Sequence, residues 1–114
     1  MAYDEGLAER IRESVGQRDD LDSDEVVEKK MFGGLAFMIR GHMTVGINGD
    51  ELMVRLGPDA YAEALRRPHA REMDFTGRAL KGFVYVGTDG TAADDDLSEW
   101  IGSGVDFVKT LPPK

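Results

Sequence analysis

With 114 residues, 41% of them apolar, the chain is the size of one domain and can supply one buried core. It holds 22 acidic against 14 basic residues, a net charge of −8, and no cysteine. That balance argues against an unaided grip on a phosphate backbone, and the missing thiols exclude disulfide frameworks and thiolate metal sites.

From the start, Met1–Gly6 carries Asp4 and Glu5 where a signal peptide would be positive, and no later apolar run reaches the length of a membrane span. The expectation is a cytoplasmic protein without membrane contact. Tyr3, Leu7, Ile11 and Val15 recur every four residues with Ala8 beside them, which predicts an amphipathic helix ending near Gly16. Gln17–Glu25 is rich in Asp, with Leu21 its one apolar residue, and reads as a solvated connector.

Alternation replaces the helical period from Val26 to Leu56, broken at Gly33-Gly34, Gly41 and Gly49, which predicts a strand followed by a three-stranded meander. Leu35, Phe37 and Ile39, then Met43, Val45 and Ile47, then Leu52, Val54 and Leu56 form three apolar sets that belong on one face. A two-residue turn at Gly49-Asp50 pairs Ile47 with Leu52 and Val45 with Val54. Placing Ile39 opposite Met43 requires a three-residue loop, Arg40-Gly41-His42, or a bulge. Gly57-Pro58 closes this segment, and Pro58 suits the first turn of a helix through Ala60, Tyr61, Ala64 and Leu65 that stops by Pro68.

Met73–Phe75 reads as a short strand and Phe83–Val86 as a better one, with Gly87–Gly90 as a turn. The last helix begins near Thr91–Asp94, with Asp94, Asp95 and Asp96 facing the positive end of its dipole. Its apolar stripe is Leu97, Trp100, Ile101, Val105, Val108 and Leu111, and Pro112-Pro113 ends it. Gly102 and Gly104 inside the helix predict close packing against the sheet or a kink.

Lys30-Met31-Phe32-Gly33-Gly34, a glycine-punctuated meander, Phe75-Thr76-Gly77-Arg78, Lys81-Gly82-Phe83-Val84-Tyr85-Val86, Leu97 with Trp100, and the terminal Leu111-Pro112-Pro113-Lys114 follow one another in an order that resembles TfoX/Sxy-like proteins, specifically their N-terminal (TfoX_N) domain. The resemblance covers nearly the whole chain. It implies an α+β, two-layer fold: an antiparallel sheet with N-terminal, middle and C-terminal helices, ordered α-β-β-β-α-β-α or with one additional strand. The family's named members regulate competence for DNA uptake and carry a second, C-terminal domain, whereas residues 1–114 here read as a single TfoX N-terminal-like domain with no separate C-terminal domain. The resemblance supplies no catalytic residue and no cofactor.

The residues themselves assemble no active site. Gly33-Gly34 lacks the spacing of a phosphate loop and reads as a tight connection needing positive φ. His69, Glu72 and Asp74 lie close in sequence, but His69 falls in a loop and the other histidine, His42, at a turn across the meander. Both read as surface polar residues, short of the three convergent ligands that a zinc site needs. Ser14, Ser23, Ser98 and Ser103 have no GxSxG context. Asp94–Asp96 lacks the calcium-loop pattern, and Trp100 shares the core stripe. The expected catalytic, cofactor and metal residues are therefore none.

The remaining candidate is the outer face of the meander. If the apolar sets face the helices, then Ala36, Met38, Arg40, Thr44, Gly46, Met53 and Arg55 point away, giving a partly apolar, basic surface. Met38, Arg40, Thr44, Met53 and Arg55 are the candidate interaction residues, in a composition enriched at interfaces. A loop over residues 67–80 covering that face is the competing arrangement. The expected function is that of a non-enzymatic regulatory or adaptor domain acting through a protein partner or self-association. The alternative is a nucleic-acid-associated accessory module, linked to competence or transcription regulation, using Lys29, Lys30, Arg40, Arg55, Arg66, Arg67, Arg71, Arg78 and Lys81. A third possibility, an enzyme with a pocket between sheet and last helix, has no residue set to support it.

Overall fold

A computed structural model describes residues 3–31, 33–75 and 78–112, so the expectations placed on Phe32, on Thr76-Gly77 and on Pro113-Lys114 lie outside the described residues. The first helix, α1 (Glu5–Gly16), forms where the period-four stripe predicts, with Leu7, Ala8, Ile11 and Val15 buried. The Asp4 side chain caps it by accepting from the Gly6 and Leu7 N–H groups at 2.9 and 3.2 Å. Tyr3 falls outside the helix and bridges Gly49, whose carbonyl accepts from the Asp4 N–H at 2.7 Å.

After a 3-10 turn at Ser23–Glu25 come four strands, β1 (Val26–Met31), β2 (Gly34–Ile39), β3 (His42–Asn48) and β4 (Glu51–Arg55). Helix α2 (Pro58–Leu65), the hairpin β5 (Ala70–Phe75) and β6 (Arg78–Val86), the short α3 (Thr88–Thr91) and α4 (Asp94–Val108) complete the order. The strands form one antiparallel sheet, β1-β2-β3-β4-β6-β5. Among the described residues this is an α+β fold of an open six-stranded sheet and four helices. The hairpin is longer than its sequence suggests, because Ala70–Glu72 carries one apolar residue and gives no alternation to read.

The β3–β4 register is the predicted one, with Val45 opposite Val54 and Ile47 opposite Leu52. The β2–β3 connection differs from the three-residue loop. Arg40 and Gly41, with φ of 54° and 84°, make a two-residue turn that sets Ile39 opposite His42 and Met38 opposite Met43. A bulge then restores Phe37 to Val45, leaving Thr44 as the extra residue. Glu25 steadies the left-handed Arg40: its carbonyl accepts from the Arg40 N–H at 3.0 Å and its carboxylate from Arg40 Nε at 2.5 Å.

The main core lies between the sheet and α1, α2 and α4, with Ile11, Phe37, Ile47, Val54, Trp100 and Ile101 in it. Gly104 lets α4 approach the sheet closely, since a Cβ there would lie 3.1 Å from both Thr44 Cγ2 and the Thr44 carbonyl oxygen. Arg10 joins α1 to the start of α4, its Nη2 donating to the Thr91 carbonyl at 2.6 Å and to Asp94 Oδ1 at 3.0 Å.

Three other carboxylates are held by cations. Arg12 donates to both oxygens of Glu28 at 2.7 Å, Arg18 and Lys109 both donate to Asp20 at 3.0 Å, and Arg40 holds Glu25. Hydrogen bonds from Arg12 lower the Glu28 pKa, those from Arg18 and then Lys109 lower that of Asp20, and the Asp22 N–H followed by Arg40 lowers that of Glu25. These groups bind protons more weakly folded than unfolded, so their stabilisation is present above the usual carboxylate range and is lost as pH falls through their depressed values. The urea midpoint is expected to stay level near neutrality and to fall below about pH 4, the usual range for these side chains. A Glu28→Gln, Asp20→Asn variant should show a shallower fall, and a slope unchanged from wild type would contradict this. The effect is modest because the pairs are solvent-screened.

Candidate interaction face

The bulge rearranges the expected outer face. Thr44 is a correction: as the extra residue it turns to the helix side, fully buried against Gly104, with its hydroxyl donating to the His42 carbonyl at 3.1 Å. Met43, expected among the core-facing residues, takes the outer side instead, where it is half-buried against a second cluster of Met53, Met73 and Tyr85.

Met53 points outward as expected but is fully buried, because Met73 of β5 and Tyr85 of β6 pack with it and its Cε lies over Gly46. Side chains of β5 and β6, which extend the same sheet beside β4, therefore cover this part of the face; residues 70–75 and 78–80 form strands there, where the alternative arrangement expected a covering loop. Arg55 is half-buried, its guanidinium 5.5 Å from the ring centres of both Phe83 and Phe107. Arg40 is half-buried and committed to Glu25.

Met38 remains. It sits in a row running straight across three strands, with Val27 opposite it on β1 and Met43 opposite it on β3. The row opens to solvent at the β1 end, where Val27 is 53% exposed. Val27 and Met43 escaped sequence reasoning for different reasons. Val27 lies outside the three apolar sets, and Met43 was assigned by a parity that the bulge reverses.

His42 is also a correction. The two-residue turn points it to the helix side, where it is 7% exposed and its Nε2 lies 2.7 Å from the Pro112 carbonyl oxygen. A carbonyl only accepts, so Nε2 carries the hydrogen, and Nδ1 has no partner among the described residues. His69 is exposed with a φ of 70°. Among the described residues, no group of three His, Asp or Glu side chains converges as a metal site. Beside the last helix, a groove between α2 and α4 is lined by Leu56, Ala64, Arg67, Glu99 and Trp100, with the Arg67 guanidinium 3.7 Å from the Trp100 ring centre.

Comparison with known families matches the TfoX N-terminal domain to residues 21–108, from the connector through the last residue of α4. The chain belongs to the TfoX N-terminal domain family. No curated protein and no solved structure gave a significant match. The matched span contains the whole TfoX N-terminal domain sheet, including the outer row, while α1 precedes it. Among the described residues, no helix is long and apolar enough to cross a membrane.

Proposed function

We propose that this TfoX-type domain is a cytoplasmic, non-enzymatic regulatory module that works through protein–protein contact at the outer sheet face. The observation that carries the reading is the Val27–Met38–Met43 row, an apolar, methionine-bearing strip with its most exposed member at the sheet's edge. Methionine is unbranched and polarizable, so such a strip can adapt to an apolar partner surface. The rest of the chemistry is consistent with this. Many carboxylates are exposed or held in ion pairs, and the two histidines occupy separate environments.

The nucleic-acid reading is weakened by what four of its nine basic residues already do. Arg40 is bound to Glu25, Arg67 to Glu99 and Trp100, Arg71 to Glu51 and Tyr85, and Arg55 lies between two phenylalanines. They are spread over the β2–β3 turn, the end of β4, the α2–α4 groove and the hairpin instead of forming one track.

The test is capture of a partner from the native cell, followed by binding measurements with purified components. Met38→Glu is expected to weaken that binding at least about tenfold while leaving the thermal midpoint near wild type, as for an interface residue outside the core. Unchanged affinity would remove the row from the interface. A DNA titration at about 50 and 200 mM salt should show no specific complex; binding with a steep salt dependence would favour the alternative.

A further inference from the structure

An open antiparallel sheet has two edges, here β1 and β5, and the two are built differently. The β5 ladder is broken by a register shift between Glu72 and Asp74, a feature that blunts an edge against further pairing. The β1 ladder pairs all six residues from Val26 to Met31 with β2 in one unbroken register. Its outward backbone groups follow from one hydrogen bond. Arg40 N–H donates to the carbonyl of Glu25, directly opposite it in the same register, so that pair is hydrogen-bonded and alternate residues from there on bond to β2. Val27 and Lys29 therefore turn their backbone inward, while Val26, Glu28 and Lys30 present N–H and C=O groups at the open edge.

Three features of the side chains say what fits there. Lys29 and Lys30 are exposed, and no ion pair among the described residues engages either, although the chain is strongly acidic. Val27 lies on the outer side of the edge, 53% exposed. On the helix side, a groove of about 240 Å³ adjoins β1, floored by Val15, Leu21, Val26 and Phe37 with the Arg12–Glu28 pair at its rim. One end of the edge is thus apolar on both faces and the other is cationic on both.

We propose that the outward edge of β1 accepts an extended segment of a protein partner as a seventh strand, its acidic residues beside Lys29 and Lys30 and its apolar residues beside Val26 and Val27. Main-chain hydrogen bonds to Val26, Glu28 and Lys30 provide the attachment, and the groove and the lysines select the sequence. A second copy of this chain fits less well. Two-fold antiparallel pairing centred on Glu28 sets glutamate against glutamate; centred on Lys29 it sets lysine against lysine, and the Glu28 carboxylates that would then face Lys30 are already held by Arg12; centred on Val27 it leaves only three strand residues overlapping, because Ser23–Glu25 is a 3-10 turn. The lysines repel another β1 and attract an acidic strand. This inference rests on the protein-contact reading and names the partner's chemistry.

The test uses the full chain and synthetic peptides, followed by amide hydrogen exchange and chemical shifts. The probes are acetyl-Glu-Glu-Thr-Val-Leu-Val-amide and its reversed sequence, to allow either strand direction, the same peptides with Lys for Glu, and N-methylated versions that lack backbone donors. In the free domain the Val26, Glu28 and Lys30 amides should exchange quickly and those of Val27 and Lys29 slowly. A saturating acidic peptide in one direction should slow the first set at least about fivefold, as expected when exchange requires release of a bound strand. The Lys peptides, the N-methylated peptides, and the acidic peptide on a Lys29→Glu, Lys30→Glu variant should give no such protection, whereas Lys29→Arg, Lys30→Arg retains it. Equal binding by the N-methylated peptide, protection elsewhere, or β1 protection that grows with protein concentration in the free domain would each overturn the proposal, the last by assigning the edge to a second copy. If Met38→Glu abolishes capture of the natural partner while the peptides leave β1 unprotected, the edge proposal falls and the contact reading stands. If the peptides protect β1 and Met38→Glu has no effect, the edge stands and the outer row falls.

Discussion

Gly34→Ala is expected to destabilise the domain by about 3 kcal/mol or more, because the added methyl group has nowhere to go. A Cβ at this position would lie 1.9 Å from the Ile47 carbonyl oxygen and 3.1 Å from its carbon, both backbone atoms of the neighbouring strand. Relief requires β2 and β3 to separate where Leu35 faces Ile47 in the core. The preceding glycine makes the contrast. Gly33 has a φ of 73° and open space around the position of a Cβ, so Gly33→Ala meets only the backbone cost, about 1 kcal/mol. Urea unfolding of both variants separates the two causes, with a thermal midpoint shift of roughly 4 °C for each kcal/mol. A Gly34→Ala variant as stable as Gly33→Ala would show that the strands yield easily. The glycine pair therefore has two roles: Gly33 makes the turn, and Gly34 permits close strand approach.

Trp100→Ala is expected to cost about 3 to 5 kcal/mol, the range for removing a large buried aromatic. Trp100 is 2% exposed and belongs to the main core, where α4 packs on the sheet. Its outer face is covered by Arg67, which lies over the ring and also meets Glu99 at 3.4 Å. Arg67→Ala is a milder change, about 0.5 to 1 kcal/mol, since it removes an interaction at a partly exposed site. Trp100 is the chain's one tryptophan, so its fluorescence reports directly on this site. Arg67→Ala should shift the emission to longer wavelength as water reaches the ring, while circular dichroism follows the stability of Trp100→Ala. An unchanged emission spectrum would mean that Arg67 does not cover the ring in solution.

Much of the fold was legible because its signals are local. The stripe of α1, the Pro58 start of α2, the acidic first turn and apolar stripe of α4, and the Gly49-Asp50 turn follow from periodicity and turn chemistry within a few residues. The ordered motifs were sufficient to recognise the TfoX N-terminal domain. The candidate face was less legible, since one unpaired residue reverses side-chain parity for everything on one side of it. Parity anchored on Val45 and Ile47 reads correctly back to Val45, then assigns Thr44, Met43 and His42 to the wrong faces.

By itself, the sequence determined an acidic, cysteine-free α+β chain with a four-strand run between helices, because composition and periodicity are properties of neighbouring residues. Only the tertiary structure decided that Met53 is buried against Met73 and Tyr85 of the neighbouring strands, that His42 and Thr44 turn to the helix side, and that Val27, Met38 and Met43 align across three strands. It also decided which strands stand at the edges. Those facts depend on pairing between segments far apart in the chain, where a bulge or a hairpin's reach leaves no periodic trace in sequence.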